Sequence, residues 1–559
     1  MNQPDHPQSS EAAEYEDTAD NALIPQVSMM LRALMASPVR YTLFLLAALL
    51  VIVVSATAWG QIRLNSWNKP FYDALSHQDL REFVHQLMVF GIIAGSLLVL
   101  NVAQRWLGET LKLKLREVLA SDLIGNWLKP LRAFRLASAG AIGSNPDQRM
   151  HEDARHLTEL SADLGIGLLQ SSILLATFVS VLWSVSTGFR LHLGGAGLVI
   201  PGYMVWAAVI YAASASILSY FVGKSLVKRN AERYAREADM RFSLVRVNEH
   251  IDAVTLARGE ADEARRIELD LEAVLAAMRR LVTGLTNLTW ITAGYGWFTL
   301  VAPILVAAPM YFDGQITFGG LMMAAGAFTQ VQSSLRWFVD NFSTIADWRA
   351  TLLRVANFRH AVLGTDDLYD VESRITFEEG DPGHYLIDHL EIASPAGCTL
   401  LEETQVQIQA GDRVLIVGES GAGKTLLFRA LAGLWPWGSG RIRRSSSESA
   451  IFVPRLAYLP PGTLRQVLAY PQKASRFDEQ AMMDALRRVG LRRLAPLLDQ
   501  SRRWSLELSP DEQQALAFAR AVLHAPAWMI IDEVLDTLDA DIRARVQDVF
   551  SQELKMTGI

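Results

Sequence analysis

The stretch GESGAGKT, from Gly418 to Thr425, combines three glycines with an adjacent lysine and threonine. The spacing fits the pattern G-x-x-x-x-G-K-[ST], in which the backbone N–H groups of a loop surround the phosphates of a nucleotide. In this chemistry Lys424 would contact the β- and γ-phosphates, and the Thr425 hydroxyl would bind Mg²⁺. We therefore predict that ATP is bound by Gly418, Glu419, Ser420, Gly421, Ala422, Gly423, Lys424, Thr425 and Leu426.

Two acidic residues close a second apolar stretch, AWMIIDE, which runs from Ala527 to Glu533. A strand that ends in Asp–Glu places one carboxylate on the metal and the other beside the attacking water. We expect Asp532 to bind the metal together with Thr425, and Glu533 to act as the general base. An apolar run before two acids is common, and its place after a phosphate-binding loop gives it a functional meaning.

Helices and strands must position these residues, and the apolar segments predict them. RVLIV (413–417) before the glycine-rich loop and WMIID (528–532) predict strands, and these alternate with helical patterns, as in an α/β domain with a mostly parallel sheet. The first 340 residues differ, because they contain uncharged runs long enough to cross a hydrocarbon core of about 30 Å. Six such runs predict a six-helix transmembrane domain: Tyr41–Ile62, Val84–Gln104, Gly165–Phe189, Leu191–Gly223, Leu281–Phe312 and Gly314–Leu335.

The charges indicate how such a domain would be oriented. The segments 105–160 and 223–282 hold nine and twelve lysines and arginines, whereas the other connections hold very few. The positive-inside rule places these two segments in the cytoplasm, and with them both termini of a multi-pass membrane protein. Because topology explains the basic segments, we expect no nucleic-acid partner. The two segments are also long and helical in pattern, so we expect the membrane helices to extend beyond the membrane.

Composition divides the rest of the chain. The first 20 residues carry six acids and no lysine or arginine, which predicts a disordered cytoplasmic tail, taken here as residues 1–38. The transmembrane domain covers 39–345. A charged stretch with glycine and proline, most evident in 364–385, predicts a linker over 346–385. The α/β P-loop ATPase domain covers 386–559.

These motifs together resemble the ABC half-transporters with fused membrane and ATPase domains, in the subgroup of the peroxisomal fatty-acyl transporters and the bacterial SbmA/BacA-like proteins. The resemblance covers about residues 40–559. In the ATPase part it depends on GESGAGKTLLFRALAGLWPWGSG (418–440) and LPPGTLRQVLAYP (459–471). In the membrane part it depends on RLNSWNKPFYDALSHQDLREF (63–83), NPDQRMHEDARHL (145–157), EADMRFSLVRVNEHIDAVTLARGE (237–260) and APMYFDGQITFGGLM (308–322).

The resemblance implies an exporter-like fold, a homodimer or heterodimer with a second half-transporter, and two ATP sites between the ATPase domains. In the family a serine and a glycine at the start of one helix reach the γ-phosphate held by the partner subunit. The matching stretch here is LSPDEQQALAFAR, so Ser509 is in place and Asp511 replaces the glycine. The glutamine expected in FVPRLAYLP is Arg455, and the family's switch histidine lies further beyond Glu533 than the printed sequence reaches.

Three functions are compatible with these residues. The first is an ATP-driven transporter that moves an unidentified solute across the membrane by alternating access. The second is a half-transporter with impaired hydrolysis, which needs a complete partner chain. The third is a proton-driven carrier with a vestigial ATPase domain. ATP, Mg²⁺, the lipid membrane and a second half-transporter are the expected partners.

Overall fold

The computed structural model describes residues 23–138, 145–186, 190–193, 196–365, 374–394, 397–419, 421–445, 449–534, 538–548 and 557–558. These residues form two compact units. The membrane unit comprises the described parts of 1–129 and 139–363, and the ATPase unit comprises 130–138 and the described residues from 364 onward. Ser420 and the first 22 residues of the expected tail lie outside the described residues.

The first half of the chain is almost entirely helical. Its helices are α1 (Leu23–Ala36), α2 (Arg40–Ser76), α3 (Leu80–Trp127), α4 (Arg132–Ser138), α5 (Ala154–Ser186), α6 (Tyr203–Glu249), α7 (Ile251–Leu256), α8 (Glu260–Phe312), α9 (Phe318–Asp340) and α10 (Phe342–Gly364). A short helix, Pro146–Gln148, and a π-helical turn, Arg149–Asp153, lead directly into α5. All except α4 lie in the membrane unit.

Three helices are much longer than a bilayer requires. α3, α6 and α8 have 48, 47 and 53 residues. At 1.5 Å per residue they are about 70–80 Å long, against a hydrocarbon core of about 30 Å. Each helix is therefore long enough to extend beyond the membrane, as the sequence predicts.

Helix α9 lies at the centre of the membrane unit. Ala324, Ala327, Phe328 and Val331 are buried on one face of it and pack with residues of α2, α5, α6 and α8. A Cβ at Gly319 would lie 2.0 Å from the Lys69 carbonyl oxygen, so only glycine permits this close approach of α2 and α9.

The α2–α9 contact also fixes the start of α9. The Gly319 N–H donates to Asp73 Oδ1 at 2.8 Å, and the Thr317 hydroxyl donates to Asp73 Oδ2 at 2.9 Å. Thr317 is the N-cap residue of α9, and its side chain accepts from the Gly320 N–H. A residue of α2 thus holds the N-terminus of α9.

Among the residues that the structure describes, four helical segments are long and apolar enough to cross a membrane: Arg40–Ser76, Leu80–Trp127, Pro146–Ser186 and Glu260–Phe312. They contain three of the six uncharged runs in full and residues 165–186 of a fourth, Gly165–Phe189. The membrane fold class is confirmed, but the count of six is not. Of the two other runs, Gly314–Leu335 falls largely within α9, where buried Gln332 and Ser334 interrupt the apolar face. The run Leu191–Gly223 does not begin as a helix, because β1 (Arg190–Leu193) and β2 (Ala196–Val199) pair as an antiparallel hairpin and α6 begins only at Tyr203.

Two expected boundaries are wrong in detail. Residues 23–36 of the expected tail form α1, because Val27, Met30 and Leu34 recur at helical spacing. Residues 346–364 of the expected linker form most of α10, in which Leu352, Val355, Phe358 and Val362 are buried. Residues 376–379 and 384–385 of the expected linker belong to strands of the ATPase unit, and 366–373 lie outside the described residues, so the linker is at most 365–375.

The ATPase unit combines α4 with an α/β body. Its strands are β3 (Thr376–Glu379), β4 (His384–Ser394), β5 (Gly397–Leu400), β6 (Gln405–Gln409), β7 (Gly438–Arg444), β8 (Ala450–Val453), β9 (Gly462–Thr463), β10 (Ser501–Arg502), β11 (Trp528–Ile531) and β12 (Thr557–Gly558). Its other helices are α11 (Lys424–Leu431), α12 (Leu464–Ala469), α13 (Glu479–Arg488), α14 (Trp504–Glu507), α15 (Pro510–His524) and α16 (Ala540–Asp548). The α/β class is thereby confirmed.

The described strands form more than one sheet. A parallel sheet has the order β12-β11-β8, and a mostly antiparallel sheet has the order β3-β7-β4-β5, with β6 also paired to β4. Tyr385 of β4 and Trp528 of β11 are both buried, and their ring centroids are 5.4 Å apart. The expectation of a mostly parallel sheet thus holds only for the sheet that carries β11.

The prediction that RVLIV (413–417) forms a strand is also wrong. Arg413 makes a single bridge, and residues 414–419 have no strand assignment. Leu415 and Val417 are 85% and 83% exposed. β11 already pairs with β8 along one edge and with β12 along the other, so neither edge of β11 is free for another strand.

Candidate nucleotide site

Two glycines shape the loop before α11. Gly421 and Gly423 have φ values of 86° and 93°, in the left-handed region where side chains are strained. Gly423 is the N-cap residue of α11, and a Cβ there would lie 2.5 Å from Thr399 Oγ1. These glycines allow the chain to turn tightly into the helix, so that its first N–H groups point toward the loop.

Lys424 is the first residue of α11, and its ammonium group folds back over the loop. Its Nζ donates to the Gly418 carbonyl oxygen at 2.9 Å and lies 3.3 Å from Glu533 Oε1. The two side chains are 27% and 46% exposed. The lysine expected on the phosphates and the acid expected as general base are therefore an ion pair.

Thr425 and Asp532 form the second contact between the two motifs. The Thr425 hydroxyl donates to Asp532 Oδ1 at 3.3 Å. Asp532 follows β11 directly and is buried, and its N–H donates to the Val453 carbonyl oxygen at 3.1 Å. The two residues expected on the metal thus present neighbouring oxygen atoms.

The backbone at Glu533 is unusual. Its φ is 49°, which is uncommon for a residue other than glycine. Strained positions of this kind persist where the surrounding structure holds them, and they are frequent at functional sites. Here the strain coincides with the turn that brings the Glu533 carboxylate to Lys424.

Ser509 and Asp511 lie at the N-terminus of α15. Ser509 is the N-cap residue and forms a capping box with Glu512: the Glu512 N–H donates to Ser509 Oγ at 3.3 Å, and the Ser509 N–H donates to Glu512 Oε2 at 3.1 Å. Asp511 lies in the first helical turn, where a carboxylate is stabilised by the helix dipole. Within the described residues, these hydrogen bonds keep Ser509 in its own helix cap rather than beside Lys424.

The charge of Glu512 is well stabilised. Burial opposes its ionisation, but hydrogen bonds from the Arg493 guanidinium and the Ser509 N–H outweigh this effect and hold the pKa of Glu512 below its usual value. The start of α15 therefore keeps two acidic side chains, Asp511 and Glu512, next to Ser509.

Sequence reasoning missed two residues near the site. Gln514 of α15 is buried, and its Nε2 donates to the carbonyl oxygens of Arg455 and, at 3.3 Å, of Pro454. Gln514 therefore connects α15 to the segment in which Arg455 replaces the expected glutamine. Thr399 of β5 limits the space at Gly423. The pair of glutamines after LSPDE could have drawn attention to Gln514, whereas no pattern marks Thr399.

One chain therefore contains a membrane unit of long apolar helices and an α/β unit with a phosphate-binding loop, which is the class of ATP-binding membrane transport subunits. Comparison with known families makes this specific. Residues 30–312 match the family described as ABC transporter transmembrane region 2, and residues 401–536 match the family described as ABC transporter. The chain belongs to the ABC transporters in which the membrane region and the ATP-binding domain are fused.

Relatives with the same organisation occur in bacteria, plants and animals. The chain is 27% identical to the inner membrane ABC transporter ATP-binding protein YddA of Escherichia coli, over 92% of this chain and 91% of the relative. It is 26% identical to the chloroplastic ABC transporter D family member 2 of Arabidopsis thaliana, over 88% and 77%. It is 24% identical to the lysosomal cobalamin transporter ABCD4 of Mus musculus, over 88% and 84%. The predicted resemblance to this subgroup is confirmed.

Proposed function

We propose that this chain is one half of a dimeric, ATP-driven transporter of the bacterial inner membrane, and that ATP binds at Gly418–Leu426. The observation that carries the proposal is the meeting of two distant motifs: Lys424 with Glu533, and Thr425 with Asp532. The loop supplies phosphate-binding groups, and the end of β11 supplies a metal-binding and a basic carboxylate.

The oxygen atoms of Thr425 and Asp532 suit Mg²⁺. This ion prefers hard oxygen ligands and is commonly held by one or two protein groups together with substrate phosphates. The Thr425 hydroxyl and the Asp532 carboxylate are 3.3 Å apart at the start of α11, so both could face one ion beside the loop. When bound, Mg²⁺ would neutralise part of the phosphate charge.

Lys424 and Glu533 would change partners when ATP binds. The Lys424 ammonium group would pair with the β- and γ-phosphates in place of the Glu533 carboxylate. The released carboxylate would then be free to accept a proton from the water that attacks the γ-phosphate. The ion pair thus holds the Glu533 carboxylate, the proposed general base, beside the phosphate-binding loop before ATP binds.

A second half-transporter would complete each site. Ser509 is exposed at the N-terminus of α15, and helix N-termini attract phosphate. In a dimer this end of α15 would face the γ-phosphate held by the partner subunit. ATP would favour the closed dimer only through its higher affinity for that state, and the long membrane helices would then alternate between two arrangements.

The proposed orientation follows from charge. Lysines and arginines are concentrated in 105–160 and 223–282, which places these segments, both termini and the ATPase unit in the cytoplasm. The similarity to a bacterial protein described as an inner membrane transporter supports this location.

The test is ATP binding and hydrolysis by the purified chain in lipid nanodiscs. Lys424→Ala should abolish binding, and Glu533→Gln should stop hydrolysis while binding persists. Glu507→Gln is a matched control, because it removes another partly exposed carboxylate of the ATPase unit. Failure of the unaltered chain to bind ATP would end the proposal.

Asp511 favours a second candidate, a half-transporter with weak hydrolysis of its own. A carboxylate about 4 Å from a phosphate costs roughly 1 kcal/mol per charge pair in water and about 4 kcal/mol at an effective dielectric of 20. The adjacent Pro510 has no N–H to offset this repulsion. Asp511→Gly should therefore increase ATP turnover. Rapid turnover by the unaltered homodimer would contradict this version.

A further inference from the structure

A cavity of about 400 Å³ lies in the membrane unit beneath α1. Small-molecule sites typically have volumes of about 300–1,000 Å³, so this space is large enough to hold part of a ligand. Five helices surround it: α1, α2, α3, α5 and α10.

The lining residues are mostly apolar and favour a hydrocarbon ligand. Its three polar side chains are already hydrogen-bonded within the protein: the Thr158 hydroxyl donates to the Arg155 carbonyl oxygen at 2.8 Å, the Ser161 hydroxyl donates to the Leu157 carbonyl oxygen at 2.6 Å, and Trp348 Nε1 donates to Ser161 Oγ at 2.8 Å. A buried water needs two to four polar partners, so a cavity lined in this way suits an apolar occupant.

The cavity is open toward the apolar outer surface of the membrane unit. Leu31 of α1 and Val51 of α2 both line it, yet they are 54% and 45% exposed. Val51 lies within the first uncharged run, Tyr41–Ile62, which belongs to a helix apolar enough to span a membrane. Outside the cavity, α1 also exposes Ile24 and Met35. The mouth therefore lies at the edge of the surface that bilayer hydrocarbon covers, because Leu111, Leu119 and Leu157 of the lining belong to the segment 105–160 that the charges place in the cytoplasm.

We propose that this cavity binds one acyl chain of a membrane phospholipid, which enters between α1 and α2. The acyl chain would fill the space between α1 and the helices α3 and α5, and its contacts would hold α1 against the other membrane helices. This site is separate from the nucleotide-binding loop, and its occupancy requires neither ATP nor transport.

Gly165 provides a way to fill the cavity from inside. It lines the cavity on α5, and a Cβ there would have no heavy atom within 4 Å. Gly165→Leu should therefore place its side chain in the space of the acyl chain, because its Cβ meets no neighbouring atom. Gly95→Leu is the matched control, because Gly95 of α3 also has open space around its Cβ but does not line the cavity.

The experiment uses the full chain in nanodiscs that contain a phosphatidylglycerol with a diazirine in its acyl chain. After illumination, the labelled peptides are identified by mass spectrometry. We expect labels on α1, on 111–119 and on 157–169. Gly165→Leu should reduce these labels about tenfold, as expected when roughly two methylene groups lose their burial, whereas Gly95→Leu should leave them unchanged.

Two results would overturn the proposal. One is equal labelling of these peptides in Gly165→Leu and the unaltered chain. The other is stronger labelling by a diazirine fatty acid than by the phospholipid, which would exclude a phospholipid as the occupant. If Gly165→Leu fails to fold in a thermal-unfolding control, Val51→Trp, at the mouth, replaces it as the blocking variant.

Discussion

The ion pair between Lys424 and Glu533 predicts how ATP affinity responds to Glu533→Gln. The charged atoms are 3.3 Å apart. Their attraction is about 1 kcal/mol in water and about 5 kcal/mol at an effective dielectric of 20. Because the side chains are 27% and 46% exposed, the lower figure applies, and exposed pairs contribute about 0.2–1 kcal/mol. ATP must displace the Glu533 carboxylate from Lys424, so removing its charge should strengthen ATP binding about 1.4-fold to fivefold.

The assay is a titration of the purified chain with a fluorescent ATP analogue in the absence of Mg²⁺, so that hydrolysis does not change the ligand concentration. The gain should shrink as ionic strength rises from about 0.05 M to about 0.5 M, because salt screens partly exposed charges. Glu507→Gln, which removes the carboxylate 2.8 Å from Arg502, should leave the affinity unchanged. Equal or weaker binding by Glu533→Gln would refute the reasoning.

Three further predictions concern other parts of the chain. Gly423→Ala should weaken ATP binding at least about tenfold, because its φ of 93° and the nearness of Thr399 leave no place for a Cβ; unchanged affinity in the same titration would contradict this. Arg354→Ala should lower the free energy of unfolding in detergent by about 2 kcal/mol, because the buried Asp153 carboxylate loses a charged donor at 3.0 Å; an unchanged unfolding midpoint would show that the pair contributes nothing. Burial lowers the pKa of His524, so the unfolded chain takes up its proton first and stability should fall as pH decreases from about 7.5 through the usual value near 6.5. His524→Gln should flatten this dependence in thermal unfolding measured against pH, and an identical slope would refute it.

The local features of the site could be predicted from the sequence. Glycines at 421 and 423 and the helix that begins at Lys424 follow from spacing alone, because a tight turn into a helix needs left-handed backbone. The pairing of Lys424 with Glu533 could not be derived in this way. It depends on where the turn after β11 places a strained residue, which is a property of the folded ATPase unit.

The errors in the fold have physical causes. An apolar run such as RVLIV predicts a strand, but it cannot reveal that both edges of β11 are already paired. The helix α10 could have been predicted, because residues 346–363 contain neither glycine nor proline. The helix α1 was not predicted because the acidic composition of the first 20 residues was extended to residues 23–36, where apolar residues recur at helical spacing.

The ATPase unit is discontinuous in sequence, because α4 belongs to it although more than 200 residues separate α4 from Gly364. Leu136 of α4 is 1% exposed, so this short segment contributes a buried side chain. During synthesis α4 is made long before the strands of its unit. It can pack with them only after the later membrane helices have been made. A fragment that starts at Gly364 would lack this piece, and cleavage between Leu363 and Arg374 would leave α4 attached to the membrane unit.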